Sequence, residues 1–278
     1  MSIKLRSNAK INLALSINHQ RPDGYHDISS VIQEIDLHDT IIISKNDSNI
    51  INIKSEGIFS PEDESNLCHI AAKLFFNQYN INHGIDIIIN KKIPIGAGLG
   101  GGSSNASTVI KGLGELFNIN ITKDIFYQLA CKIGADVSFF YNGGIQYARG
   151  IGDVLYPIPP LLSKYYFLLV YPKTQISTLW AYKEYKKYLE NDLNESNFVP
   201  LSESIDFSLW RNDFEKVVLS TYPEIKKIKM NLKNSHSLFT SLSGSGSTMF
   251  GVYDNLESVK IANDLFNEFQ TYITLPID

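Results

Sequence analysis

Within Pro94-Ile95-Gly96-Ala97-Gly98-Leu99-Gly100-Gly101-Gly102-Ser103-Ser104-Asn105-Ala106, five glycines fall in seven positions and two hydroxyls follow directly. A chain without β-carbons lets main-chain N–H groups approach a charged ligand, so the stretch reads as a phosphate cradle. Ile85 to Ile89 before it is strand-like, and Ala106, Val109, Ile110, Leu113 and Phe117 after it recur at helical spacing. The loop therefore opens onto a helix N-terminus, where free N–H groups and the helix dipole favour an anion such as a nucleotide phosphate.

Two better-known glycine loops do not fit. A Walker A loop ends in Gly-Lys-Ser/Thr so that a lysine reaches the phosphates, whereas Gly-Gly-Ser-Ser-Asn stands here. Gly96, Gly98 and Gly101 satisfy the dinucleotide spacing, but that fold wants an acidic residue at the end of the next strand. Glu115 has the separation and lies inside a helical pattern.

Stepping outward from the loop, strands are expected at Ile11 to Ile17 and Ser29 to Ile35, flanking the turn signals of Arg21-Pro22-Asp23-Gly24. Further strands are expected at Thr40 to Ser44 and Ile50 to Ser55, then a helix with Leu67, Ile70, Ala71, Leu74 and Phe75 on one face. A helix over Thr122 to Ile133 follows the glycine-loop helix. Gly143-Gly144 and Gly150-Ile151-Gly152-Asp153 punctuate a shorter β region, and Pro157-Ile158-Pro159-Pro160 breaks it, placing a boundary between residues 1–156 and 157–278. The second part opens with a strand at Tyr165 to Tyr171 and continues through helices near Leu179 to Tyr188 and Phe214 to Thr221. It ends in strand, Ser-Gly loop, strand, helix and strand, the last helix carrying Val259, Ala262, Leu265, Phe266 and Phe269 on its apolar side. Asn191 to Asn197 reads as a loop-like insertion. The fold class is α+β in two domains.

The chain has 278 residues, 44% hydrophobic and 19% charged, enough for a large core. Its net charge of -4 argues against a general nucleic-acid or membrane-surface binder. Cys68 and Cys131 show no metal-ligand spacing and are expected to be reduced core thiols. No apolar run approaches the roughly 18 residues of a membrane span, and the first residues do not read as a basic and apolar leader, so a chain without a removable peptide, or one already trimmed, is expected. The expected location is the cytoplasm, with small-molecule partners and a monomer or weak homodimer.

Three separated segments need one explanation: Asn8-Ala9-Lys10-Ile11-Asn12, the glycine loop, and Leu242-Ser243-Gly244-Ser245-Gly246-Ser247. Together they resemble the three motifs of the GHMP small-molecule kinases, nearly end to end. Arg21-Pro22-Asp23-Gly24-Tyr25-His26 and Gly134-Ala135-Asp136-Val137 are similar to the branch of that family acting on a cytidine-diphosphate sugar alcohol in isoprenoid precursor synthesis. The resemblance implies an N-terminal domain like ribosomal protein S5 domain 2 and a ferredoxin-like C-terminal domain, with ATP and substrate in the cleft between them. The reaction it implies is ATP-dependent phosphorylation of the acceptor's 2-hydroxyl. Other family members acting on homoserine or mevalonate have no need of Tyr25-His26. A non-catalytic nucleotide-binding regulator has no physical reason to keep Lys10 with Asp136.

The resemblance carries roles onto residues one at a time. Asp136 receives or orients the hydroxyl proton and also touches substrate, while Lys10 pairs with it and holds the hydroxyl or a phosphate oxygen. Without the resemblance, Asp136 reads as a helix cap and Lys10 as an exposed strand lysine. Tyr25 is implied to stack on the base, His26 to hydrogen-bond its edge, and Asn12 to help hold the substrate. Pro94, Gly96, Ala97, Gly98, Leu99, Gly100, Gly101, Gly102, Ser103 and Ser104 would cradle ATP phosphates. Asn66 and Leu67 match positions bordering the adenine, with a helix cap and a core leucine as competing readings. Ser243, where threonine is more usual, Gly244 and Gly246 close over the phosphate or substrate end. Mg²⁺ is expected with ATP and has no dedicated carboxylate, Asn105 standing where a charge would be convenient. Lys91 and Lys92 are expected to decorate a strand end, the alternative being that they contribute positive potential near ATP.

Overall fold

A computed structural model describes residues 1–189 and 206–278, so the Asn191 to Asn197 insertion lies outside the described residues. In chain order the strands and helices are β1 (Ser2–Gln20), β2 (His26–Asn46), β3 (Ile51–Gly57), α1 (Leu67–Tyr79), β4 (Gly84–Lys91), α2 (Gly101–Phe117) and α3 (Lys123–Ile133). They continue with β5 (Ile145–Arg149), β6 (Val154–Pro157), β7 (Tyr166–Tyr171), α4 (Thr178–Leu189), α5 (Glu215–Thr221) and α6 (Pro223–Asn234). The described chain closes with β8 (Phe239–Leu242), β9 (Met249–Tyr253), α7 (Leu256–Asn263) and β10 (Gln270–Thr274). The residues gather into two compact units, one of Met1–Ala9, Leu37–Ile95 and Gly100–Asn142, the other of Lys10–Asp36, Gly96–Leu99 and Gly143–Asp278. Among the described residues no helix is long and apolar enough to cross a membrane.

In the first unit β4 runs antiparallel to the second half of β2, from Thr40 opposite Asn90 to Asn46 opposite Gly84, and parallel to β3. The parallel pairing is possible because α1 provides the crossover between β3 and β4. Ile41, Ile43, Ile85, Ile87 and Ile89 meet Ala71, Phe75, Val109, Leu113 and Leu129 in one apolar core. Asn66 caps α1 by accepting from Cys68 N at 2.9 Å, and Thr122 caps α3 by accepting from Ile125 N at 3.4 Å. Burial pushes the Cys68 thiol up to about 12. Cys131 is exposed, contrary to its expected core position, because it lies on the polar face of α3 opposite Phe126, Leu129 and Ala130.

A charged group lies at the bottom of this unit. Asp39 is fully buried and accepts from Lys92 N at 2.7 Å, Ile93 N at 2.9 Å, Asn105 Nδ2 at 2.9 Å and the Lys91 ammonium. Lys91 was expected on a strand end in solvent and is instead buried, because its stem runs inward to this carboxylate. Asn105 Nδ2 also donates to Ser7 Oγ at 2.8 Å, and Ser7 Oγ is 2.7 Å from Ser104 Oγ. The network joins β1, β2, the turn after β4 and the first turn of α2.

In the second unit the sheet order is β10-β7-β9-β8, antiparallel throughout. Leu168, Val170, Met249, Tyr185, Phe214, Ile225, Ile228 and Val259 share its core with α4 to α7. The first half of β2 pairs with β5 and β5 with β6, while β1 pairs with β2 through a turn in which Gly24 N donates to Arg21 O at 3.0 Å. Three features differ from the sequence reading. β1 and β2 are 19 and 21 residues long, because the turn-flanking strands and their charged continuations stay in one ladder. α6 is an additional helix whose first residue is Pro223, a position that needs no N–H partner. Leu265 is exposed, because the helix tightens to a 3-10 turn at Asp264–Phe266 and leaves the 3.6-residue period.

Asp39→Ala strands the Lys91 ammonium in the core, a change that costs about 3–5 kcal/mol when one partner of a buried pair is removed. Urea unfolding should register a loss of that size, and a loss below about 1 kcal/mol would mean that water reaches the ammonium.

Candidate active site

Gly96 and Gly98 have φ of 66° and 79°, values that only glycine adopts freely, and each carbonyl in the three residues from Ala97 to Leu99 has a different partner. Ala97 O accepts from Thr248 N at 3.2 Å, Gly98 O from Ser243 Oγ at 2.8 Å, and Leu99 O from Lys10 N at 3.0 Å. A β-carbon on Gly98 would lie 1.9 Å from Ser243 O and 3.1 Å from Gly246 O, so the approach itself requires glycine. Ala97 and Leu99 turn their side chains into the core, while Gly96 is exposed and Gly98 half-buried. One main-chain edge of the loop is thus consumed by protein.

Alternation along β1 puts Lys10, Asn12, Ala14 and Ser16 on one face. Lys10 and Asn12 are only 4% and 3% exposed, although a polar strand face normally meets solvent. Lys10 Nζ donates to Asn12 Oδ1 at 2.7 Å, and Asn12 N donates to Ser243 Oγ at 3.3 Å. Gly244, with φ of 57°, sits where a β-carbon would be 3.3 Å from Asn12 Oδ1, and Gly246 has φ of 91°. Ser245 Oγ lies 2.9 Å from Thr178 Oγ1, while Ser247 Oγ donates to Thr174 O. Asn212 was not found by sequence reasoning. Its amide donates to Leu242 O at 2.7 Å and Gly244 O at 2.8 Å, pinning this loop to the segment that bonds Leu15.

At the turn between β1 and β2, Tyr25 is 62% exposed and His26 is buried. The His26 ring stacks on Tyr182 of α4 with centroids 5.1 Å apart and planes 14° from parallel. Tyr182 carried no sequence signal, since one tyrosine in an aromatic-rich helix looks like core. Burial first, and the nearby Lys186 ammonium second, lower the His26 pKa below its ordinary value.

The remaining expected residues belong to the first unit. Gly100 is the left-handed N-cap of α2 with φ of 66°, and Ser104 N donates back to its carbonyl at 2.9 Å. A β-carbon on Gly101 would come 2.8 Å from Ile93 Cγ2 and 2.9 Å from Lys91 Nζ, while one on Gly102 would come 3.3 Å from Leu67 Cδ1. Pro94 is buried, Gly102 exposed and Ser103 half-buried. The Asn66 amide is used structurally, donating to Pro61 O at 2.5 Å in addition to its capping bond. Asp136 is half-buried in the first turn of the 3-10 helix Ala135–Tyr141, where the N-terminal end favours a carboxylate. Lys111 Nζ on α2 donates to Phe140 O at 2.6 Å and Tyr141 O at 3.1 Å, fixing the other end of that helix; sequence reasoning missed it.

The glycine loop opening onto a helix and the buried lysine on β1 accord with what comparison with known proteins shows: the chain belongs to the GHMP kinases, ATP-dependent small-molecule kinases. Residues 66–144 match the family described as GHMP kinases N terminal domain, and residues 191–270 match GHMP kinases C terminal. Among its curated relatives, the 4-diphosphocytidyl-2-C-methyl-D-erythritol kinase of Thermodesulfovibrio yellowstonii is 41% identical, with 94% of this chain and 93% of the relative covered. The protein of the same name from Chlorobium limicola is 38% identical over 99% of this chain and 98% of its own. A crystal structure of 4-(cytidine 5'-diphospho)-2C-methyl-D-erythritol kinase superimposes with a TM-score of 0.83 at 26% identity, covering 99% of this chain and 100% of the other. The Methanococcus jannaschii mevalonate kinase, at 19% identity and a TM-score of 0.75 over 100% of this chain and 99% of its own, shares the fold.

Two outcomes follow from this geometry. Gly98→Ala should lower stability in urea unfolding by more than about 1–2 kcal/mol, the cost of a left-handed alanine before the clash is counted; unchanged stability would mean that the loop yields. For His26, the unfolded chain takes up its proton near pH 6.5, before the folded one does. Stability is therefore unaffected by this group above that pH and falls as pH drops from there through the lower folded value. Urea unfolding of wild type against His26→Gln should show the extra acid loss in wild type alone.

Proposed function

We propose that the chain transfers the γ-phosphoryl of ATP to the 2-hydroxyl of 4-diphosphocytidyl-2-C-methyl-D-erythritol, giving ADP and the 2-phosphate, in non-mevalonate isoprenoid precursor synthesis. The observation that carries the acceptor class is the neutral, buried His26 held face to face with Tyr182 beside exposed Tyr25. A planar base with a fixed donor and acceptor edge suits such a pocket, and a base lacking those groups leaves the pocket's polar atoms unsatisfied. The names of the relatives point the same way. Tyr25 stacks on the cytosine, His26 reads its edge and Asn12 holds the substrate.

Phosphoryl transfer needs positioning and charge neutralisation more than covalent chemistry. The main-chain N–H groups of the segment from Pro94 to Ser104 and the N-terminus of α2 receive the ATP phosphates. Leu67 forms the adenine wall and Asn66 contributes through the bend it caps. Ser243, Gly244 and Gly246 close on the phosphate or substrate end. Lys10 neutralises charge on the transferring group, and Asp136 receives the hydroxyl proton late, once the alcohol oxygen has bonded to phosphorus and become acidic. Magnesium, coming with ATP, would neutralise charge on the phosphates. Ser103 is the residue whose hydroxyl would hold it, because the Ser104 hydroxyl and Asn105 are already engaged with Ser7 and Asp39.

The same reading divides the chain into a nucleotide-binding part at 1–156 and a C-terminal part at 157–278, with the family matches at 66–144 and 191–270 on either side of the cut. It places a monomer or weak homodimer in the cytoplasm, without nucleic-acid or membrane partners. Free thiols at both cysteines accord with a reducing compartment.

ADP release from Mg-ATP should occur with the cytidine substrate and not with homoserine or mevalonate. Turnover with one of those alcohols alone would discard the base pocket. Asp136→Asn should lower kcat by about 10²-fold or more while the KM for ATP stays within about threefold; an equal change in both would remove its assigned role.

A further inference from the structure

We infer that Ser30 is a positioning residue for phosphoryl transfer: its hydroxyl anchors the NH₂ end of the Asn12 amide and so fixes where Oδ1 holds the Lys10 ammonium. The inference rests on the reading in which Lys10 acts on the transferring phosphoryl group. Ser30 lies on β2 and is fully buried, with its main chain held opposite Ala148 of β5. Its Oγ donates to Ala14 O at 2.7 Å and accepts from Asn12 Nδ2 at 2.8 Å, while Asn12 Oδ1 accepts from Lys10 Nζ at 2.7 Å.

Each assignment in this chain is forced by its ends. A main-chain carbonyl can only accept, so the proton of Ser30 goes to Ala14 and the Ser30 oxygen is left as an acceptor. The amide must then turn its NH₂ group toward Ser30. An ammonium can only donate, so the oxygen of Asn12 is the atom that can face Lys10. Lys10 and Asn12 share one face of β1 by the two-residue period, and the adjacent strand β2 brings the Ser30 hydroxyl within reach of both the Asn12 amide and the Ala14 main-chain carbonyl. All three side chains are buried, so water is not at hand to replace a lost partner.

Without the Ser30 hydroxyl, the Asn12 NH₂ group is left buried without its acceptor, the amide is held at one end only and can turn away to recover a partner, and Oδ1 no longer fixes the Lys10 ammonium in its place. A misplacement of about 1 Å in a positioning group costs about 10²-fold in rate. Ser30 thereby acts through Asn12 and Lys10 and needs no contact with substrate.

The test compares Ser30→Ala and Ser30→Thr with wild type in two readouts. In Mg-ATP and cytidine-substrate assays, Ser30→Ala should lower kcat about 10- to 100-fold with both KM values within about threefold, and Ser30→Thr should restore kcat to within about threefold. In ¹⁵N-labelled protein, the Asn12 side-chain NH₂ protons should exchange with solvent at least about tenfold faster in Ser30→Ala than in wild type or Ser30→Thr. Unchanged exchange overturns the relay, whatever the kinetics. Faster exchange with kcat within about twofold of wild type, or KM values that rise in step with the loss of kcat, overturns the positioning role. If wild type does not use the cytidine substrate while the exchange pattern holds, the relay stands and the substrate reading falls.

Discussion

The second unit is organised by the need to satisfy three consecutive carbonyls. A loop that presents N–H groups to an anion must turn its carbonyl edge inward, and buried carbonyls need donors. Here the donors come from three separated parts of the chain: Thr248 N, Ser243 Oγ and Lys10 N. The clamp explains why Gly98 cannot carry a side chain and why a hydroxyl stands at Ser243. It also explains why the strand bearing Lys10 and Asn12 lies where it does. Asn212 extends the constraint by holding the loop that supplies Ser243. Each of these residues is common, and their arrangement follows from one accounting rule about main-chain polar groups.

The first unit solves a related problem with charge. The first turn of α2 comes close to Lys91 and Ile93, and a cation beneath a helix N-terminus is unfavourable by itself. Asp39 removes the conflict by pairing with the ammonium and taking two main-chain N–H groups and the Asn105 amide as well. Buried ion pairs add little net stability compared with apolar packing, but they impose geometry, since an unsatisfied partner is costly. That geometry fixes the start of α2 relative to the turn after β4.

Much of this was legible from residue order. The glycine loop announces itself by composition, α1 and α2 by period, β4 and β7 by their apolar runs, and β5 and β6 as one β region by glycine and proline punctuation. The polar positions Lys10 and Asn12 were legible only through resemblance, because a strand with alternating polar residues ordinarily faces water. Ser30, Asn212, Lys111 and Tyr182 were not legible at all. Each is an ordinary residue type whose partner lies outside any local window, so neither period nor motif marks it. Lys91 was misjudged because a lysine after a strand usually reaches solvent, and its buried partner, Asp39, is 52 positions away. α6 was hidden by Pro223, which as a first helical residue starts what proline elsewhere stops.

The contrast between the two thiols has a practical side. Cys68 is sealed in the core and held in its unreactive protonated form, whereas Cys131 stands on the open face of α3. A maleimide dye added to the unmodified chain would therefore attach at one place, without any cysteine having to be engineered away. That place is five positions before Asp136, on the helix whose end at Gly134 leads directly into the turn carrying that carboxylate. The molecule thus comes with a built-in attachment point for a fluorescent reporter on the segment next to Asp136.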